Sequence, residues 1–225
     1  MSSLTNVINL GGVNCYLLAA GDGYILIDTG FAAKRVQLEN SLESVGCKPG
    51  KLKLIVLTHG DSDHADNCVY LRSKYGCKIA MHRLDSGMVE RGDMSWNRKA
   101  KPDKFSLLFR LIGFVAKAFV KWDKFEKFKP DIMIDEEFDL STYGLNARIL
   151  HIPGHSKGSI GILTEDGELF CGDFAYNLPG FQFIDDMADY TQSMKRLKQL
   201  RIETIYPGHG KPFPMTALIK RASVD

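Results

Sequence analysis

Short apolar runs alternate with turn residues through the first half of the chain. Cys15–Ala19 and Tyr24–Ile27 predict neighbouring strands joined by the turn Gly21-Asp22-Gly23. Upstream, the stretch Leu4–Ala20 is broken by Asn6, Asn9, Gly11, Gly12 and Asn14. It predicts a strand pair with a turn rather than a leader or a membrane span. Residues 32–45 suit a helix. Leu54–Leu57 predicts a short buried strand that runs straight into Thr58-His59, and the residues after His64, to about Tyr75, suit another helix. The apolar run Lys78–Met81 ends at His82. In the second half, Arg148–Ile152, Ser159–Leu163, Glu168–Cys171 and Thr204–Tyr206 predict strands. Met187–Leu200 predicts a helix with Met194, Leu197 and Leu200 on one face. Strands and helices that alternate in this way imply sheets covered by helices, within one domain over residues 1–225.

Residues 97–129 interrupt the rhythm. They hold ten Lys or Arg against three Asp or Glu, although the whole chain carries only +2. Phe105, Leu108, Ile112, Val115, Phe119 and Trp122 follow a helical period, with Arg110, Lys117, Lys121 and Lys124 on another stripe. The pattern predicts a basic amphipathic helix over 103–125. It serves as an ordinary packed surface helix, a lid over a groove or, least favoured, a membrane-surface contact.

Composition mostly excludes. Hydrophobic residues make up 44% and charged residues 25%, which is ordinary for a protein with a sizeable core. The small net charge gives no reason to expect nucleic acid as a partner. The five cysteines are odd in number and form no CxxC pair, which argues against a disulfide framework and for a reducing, cytoplasmic setting. No apolar run is long and clean enough to span a membrane.

The chemistry concentrates in Thr58-His59-Gly60-Asp61-Ser62-Asp63-His64, where four metal-ligand types fall within six residues after a buried strand. Asp63 alone could be a helix cap; four such residues together are hard to explain as caps. Three more candidates stand at strand ends, each directly after a glycine: His155, Asp173 and His209. Glycine permits the tight turn that lets a side chain leave a strand end toward a shared centre.

This order resembles the metallo-β-lactamase superfamily, whose THxHxDH signature is followed by a His, an Asp and a last His at strand ends. The early Asp28 of Leu26-Ile27-Asp28-Thr29-Gly30 also matches. The resemblance runs from about Val13 to Pro212 and implies the four-layer αββα sandwich of α/β class. It also implies two divalent metal ions: one held by His59, Asp61 and His155, one by Asp63, His64 and His209, with Asp173 bridging. Asp28 would orient ligands from behind; a strand-end turn residue is the equal alternative. The chain departs from the signature at Asp61, which replaces a histidine. A carboxylate there adds charge and a harder donor, so zinc comes first with iron and manganese as further candidates. Flavodiiron proteins of the superfamily carry a Glu at this position and hold iron.

Two cations held together lower the pKa of a water between them and polarise a substrate oxygen. Asp63 would aim that water, and Tyr176 is a candidate donor to an oxyanion, or else a packing aromatic. Lys157 and Ser156 are candidate contacts for an anionic substrate, or solvated turn residues. His151 reads as a packing or supporting histidine before a ligand, and His82 as a satisfied strand-end histidine. The expected activity is hydrolysis of an ester-like bond (thioester, lactone or phosphodiester) in a small molecule that is anionic or lipid-like. A di-iron redox enzyme is the second expectation, motivated by Asp61. A binding protein with a vestigial site is the third.

Overall fold

The structure, a computed structural model, describes residues 5–105, 126–178 and 183–222. Two six-stranded sheets face each other. The first runs β1 (Thr5–Asn9), β2 (Asn14–Ala20), β3 (Gly23–Ile27), β4 (Leu52–Val56), β5 (Lys78–His82) and β7 (Ile132–Ile134), in that order. The second has the order β14 (Phe213–Pro214), β13 (Thr204–Pro207), β11 (Glu168–Gly172), β10 (Ile160–Thr164), β9 (Ala147–His151) and β8 (Glu137–Asp139). A small ladder joins β6 (Lys104–Phe105) to β12 (Phe183–Ile184).

Period-two alternation sends neighbouring residues of each strand to different cores. Tyr16, Leu18, Ile25, Ile27, Leu54 and Val56 turn inward and meet Ile149, Ile160, Ile162 and Phe170 of the other sheet. Their neighbours Leu17, Leu26, Ile55 and Ile79 pack outward with Leu38 and Leu42 of α1 (Arg35–Ser44), and with Leu71 and Tyr75 of α3 (Cys68–Tyr75). On the far side, Leu150, Leu169 and Cys171 meet Met194 and Leu197 of α5 (Met187–Leu197) and Leu218 of α6 (Met215–Ala222). Three cores between four layers make the expected αββα sandwich. Each fully buried leucine or isoleucine contributes about 1.5–3 kcal/mol, so the alternation fixes the strand register. All five cysteines are buried and free.

Several boundaries differ from expectation. The helix expected after His64, to about Tyr75, starts only at Cys68 as α3; a separate short helix, α2 (Ser62–Ala65), precedes it, with Asp66 and Asn67 between them. The Asn67 side-chain amide donates to the carbonyls of Thr29, Gly30 and Phe31, which fixes that break to the loop after β3. The basic helix expected over 103–125 lies, beyond its first three residues, outside the described residues. Those three are not helical: Lys104 and Phe105 pair with β12. Among the described residues, no helix is long and apolar enough to cross a membrane.

The topology also sets where polar side chains gather. Strands β3, β4, β5 and β7 are mutually parallel, as are β11 and β13, while β9 and β11 both run antiparallel to β10. The loops after β3, β4, β9, β11 and β13 converge at one edge of the sandwich, beyond the carboxyl ends of their strands, the usual site position in open α/β sheets.

Candidate metal centre

The loop after β4 brings Thr58, His59, Asp61, Asp63 and His64 to that edge. Asp61 is the residue before α2, yet its side chain makes no capping bond. Asp63, in the first turn, turns its carboxylate to His64 and His209. The spacing therefore serves the edge, and the capping alternative for Asp63 is not what the structure shows.

Each imidazole is fixed at Nδ1 and turned inward at Nε2. His64 Nδ1 donates to Asp28 Oδ2 at 2.8 Å, and His209 Nδ1 to the Gly12 carbonyl at 2.7 Å. His59 Nδ1 lies 3.0 Å from the Thr58 hydroxyl, whose proton goes to Asp28 Oδ2 at 2.8 Å. His155 Nδ1 lies 3.3 Å from the Phe183 carbonyl. Once neutral, as metal binding requires, rings held this way present lone pairs on Nε2. Asp28 is almost fully buried at φ 57°, and its Oδ1 also accepts from Thr58 N at 2.8 Å. It stands behind the cluster as expected, and its left-handed backbone is a strain of about 1–3 kcal/mol held by those bonds.

Two donor groups result. His59, His155 and Asp173 each offer an atom within 4.8 Å of the others, and so do Asp63, His64 and His209. Asp173, a member of the first group, also meets the second: Oδ1 is 3.3 Å from His64 Nε2, and Oδ2 is 3.3 Å from His209 Nε2. Asp61 Oδ2 stands 3.4 Å from His59 Nε2 and 3.3 Å from His155 Nε2. Among the described residues, His59 Nε2, His64 Nε2, Asp61 Oδ1 and Asp173 Oδ1 are buried with no hydrogen-bond partner. Buried imidazole nitrogens and carboxylate oxygens that face one another without partners are costly unless protons or metal cations lie among them. The donor set fits a pair of divalent ions on that ground.

Glycines make room for this convergence in different ways. Gly172 adopts φ 51°, and a Cβ there would overlap the Thr58 hydroxyl. At Gly208 space decides, because a Cβ would overlap the Asp173 carboxylate and come within 2.8 Å of His64 Cε1.

The electrostatics follow from burial and neighbours. Burial pushes the His209 pKa down, but Asp173 and Asp63 reverse this and carry it up to about 10. Burial likewise opposes the charge on His64, yet Asp63, Asp28 and Asp173 hold its pKa well above the usual histidine range. Burial raises the Asp61 carboxyl, and the Arg98 guanidinium with His155 and His59 more than offsets it, leaving it well below the usual carboxylate range.

Arg98 is the site residue that the sequence pattern did not single out. Its Nη2 donates to Asp61 Oδ2 at 2.9 Å and lies 3.2 Å from His155 Nε2. Asp85 is another. It is buried and accepts from Ser156 Oγ at 2.6 Å and Gly158 N at 2.8 Å, pinning the His155 loop. Ser156 is therefore a loop brace, and Lys157 Nζ bonds Asn97 at 3.2 Å. The Tyr176 hydroxyl, a candidate oxyanion donor, gives its proton to Asp173 Oδ2 at 2.8 Å. His82 and His151 lie outside the cluster, stacked at 3.9 Å and bonded to the carbonyls of Asp135 and Lys157.

The model of the Metallo-beta-lactamase superfamily matches residues 8–209. The chain belongs to the metallo-β-lactamase superfamily. A beta-lactamase-like protein 2 homolog of Drosophila melanogaster is 27% identical over 91% of this chain, which spans 61% of that relative. A hydroxyacylglutathione hydrolase of Haemophilus influenzae is 30% identical over 67% of this chain and 60% of its own length. An acyl-coenzyme A thioesterase of Homo sapiens is 23% identical over 93% of this chain and 77% of its own length. Among solved structures, a protein in a di-iron-bound form superposes with a TM-score of 0.68 at 24% identity, covering 96% of this chain and 97% of the other. That likeness carries the fold. The superfamily binds a dinuclear metal centre, and the clustered donors agree with it.

Proposed function

We propose that the chain is a metal-dependent hydrolase of thioesters, with its centre built from His59, Asp61, Asp63, His64, His155, Asp173 and His209. The observation that carries this is the set of four imidazoles, each bonded at Nδ1 and facing carboxylates through Nε2, with four buried nitrogen or oxygen atoms lacking hydrogen-bond partners. When bound, two divalent cations would lower the pKa of a water between them and polarise an acyl carbonyl. His59, Asp61 and His155 would hold one ion; Asp63, His64 and His209 the other; Asp173 would touch both. Asp63 is 19% exposed in its side chain, so it can also accept a hydrogen bond from a water and aim it. Tyr176 keeps Asp173 in place through its hydroxyl, a positioning role. Thr58 and Asp28 hold the His59 and His64 rings from behind.

The thioester class is supported by the names of the thioesterase and glutathione-ester relatives. Lactones and phosphodiesters stay in the screen as other ester-like bonds. Zinc is the first metal to test. The five buried thiols suit a reducing compartment such as the cytoplasm. The Asp61 carboxylate supports a second reading, a di-iron redox enzyme, since hard oxygen donors favour iron.

The test is metal content of protein purified without added metal or a histidine tag, followed by hydrolysis of acyl-coenzyme A and glutathione thioesters. Zinc or manganese near two per chain with metal-dependent thioester cleavage is expected. Two irons with oxygen consumption would establish the redox reading instead. Metal well below one per chain, not restored by adding zinc, manganese or iron, would sink both.

A further inference from the structure

The two halves of the centre differ in one respect that the donor counts hide. At the half containing Asp61 and His155 a fixed cation is already present. Arg98 Nη2 donates to Asp61 Oδ2 at 2.9 Å and stands 3.2 Å from His155 Nε2. Those are two of the atoms an ion would need there. At the other half, no lysine or arginine bonds Asp63, His64 or His209 among the described residues.

Arg98 is held where it is. Its guanidinium lies over the Phe183 ring at 5.0 Å from the centroid, and its side chain is only 14% exposed. The next residue is anchored, because Lys99 N donates to the Asp185 carboxylate at 3.1 and 3.2 Å. Asp185 N in turn donates to the carbonyl of Gly154 at 2.8 Å, directly before His155. Arg98 and His155 therefore belong to one braced unit, and the contact is not a loose surface pairing.

We propose that Arg98 makes the centre intrinsically asymmetric: it occupies Asp61 and His155 when that half is empty, and an ion entering there must displace it. The proposal rests on the two-ion reading above. Its physics is competition between like charges for the same lone pairs. A guanidinium is always protonated, so it cannot yield by losing a proton and must move. A divalent ion a few ångströms from it is repelled, and the low polarity of the buried cluster strengthens that repulsion. The His64–His209 half therefore fills first and holds its ion tightly. The Asp61–His155 half fills second and weakly, so at low metal supply the protein carries a single ion. Asp61 and Arg98 act together in this: the carboxylate that replaces a histidine of the family signature is also what draws the guanidinium in.

The test is zinc titration of metal-free full-length protein in competition with a chromophoric chelator, which reads stoichiometry and affinity without activity. Wild type is expected to show two classes of site separated by about tenfold or more. His209→Ala should remove the tighter class and His59→Ala the weaker. Arg98→Met keeps the packing on Phe183 and removes the charge, so it should tighten the weaker class about tenfold or more and leave the tighter one unchanged. Arg98→Lys keeps a cation and should keep the separation. Thermal unfolding of each variant reports its fold, and the lysine variant separates charge from packing if the methionine variant is unstable. Two equal classes in wild type, or Arg98→Met leaving the weaker class unchanged or weaker still, would overturn the proposal while keeping the two-ion centre. No zinc bound by wild type would bring down the two-ion reading itself, and this proposal with it.

Discussion

Asp28→Asn is the substitution whose outcome the geometry constrains most closely. Asn tolerates the left-handed backbone at φ 57° about as well as Asp does. The swap therefore leaves conformation and volume alone and removes one charge and one acceptor. Oδ1 receives Thr58 N at 2.8 Å; Oδ2 receives the Thr58 hydroxyl and His64 Nδ1, both at 2.8 Å. With the amide oxygen in the place of Oδ2, its NH₂ meets the Thr58 N–H, and a buried donor is stranded at a cost of about 1–3 kcal/mol. The two remaining bonds drop to roughly half strength once the acceptor is neutral. With the amide reversed, NH₂ meets His64 Nδ1, and the ring must carry its proton on Nε2, the atom that faces Asp63 and Asp173. Either arrangement costs about 2–4 kcal/mol, which for a chain of this size lowers Tm by about 5–15 °C. Zinc affinity should fall about 10–100-fold, as expected when the partner of a ligating histidine is lost. Thermal unfolding in chelator gives the first number and competition titration the second. An unchanged midpoint together with unchanged zinc affinity would show that Asp28 is only a turn residue.

Three further outcomes are expected. Gly208→Ala forces a methyl into the Asp173 carboxylate and the His64 ring, so it should destabilise the fold by about 1–3 kcal/mol and weaken zinc binding; wild-type zinc affinity in a folded variant would refute the packing argument. Tyr176→Phe removes the donor to Asp173 and should lower kcat/KM about tenfold with bound metal unchanged; equal rates would mean that Asp173 needs no such support. The His209 pKa is raised to about 10 in the metal-free fold, from about 6.5 when unfolded. Its contribution to metal-free stability is therefore complete below about pH 6.5 and lost as pH rises toward 10, while zinc, which displaces that proton, binds more tightly across the same window. Melting curves and titrations between pH 6 and 9 read both slopes, and a zinc affinity that fell with rising pH would contradict the assignment.

The strands and the clustered donors were legible because their signals are local. Leu54–Leu57 is apolar and runs directly into His59, and a side chain that follows a buried strand has few other places to go. The supports were less legible. Gly12 and Phe183 act through backbone carbonyls, which leave no mark in side-chain pattern. Asp85 braces the His155 loop from 71 residues before Ser156, with nothing nearby to suggest it. Arg98 stood among the ten cations of residues 97–129, where charge density pointed toward a solvated helix. Only the packing of the 97–105 segment onto Asp185 and Phe183 turns that one guanidinium inward. The split between α2 and α3 was hidden for a similar reason: Asn67 is an unremarkable helix residue until its amide meets three carbonyls of another loop.

The carbonyl at position 183 has an evolutionary consequence. Every amino acid carries the same backbone oxygen, so the group that orients His155 survives a change of side chain at that position. Phe183 also flanks His155, with ring centroids 5.1 Å apart. The ring, which also lies under the Arg98 guanidinium, can therefore give way to another flat or apolar side chain while the carbonyl keeps the histidine's tautomer. A lineage can then vary that side chain without first losing the orientation of His155.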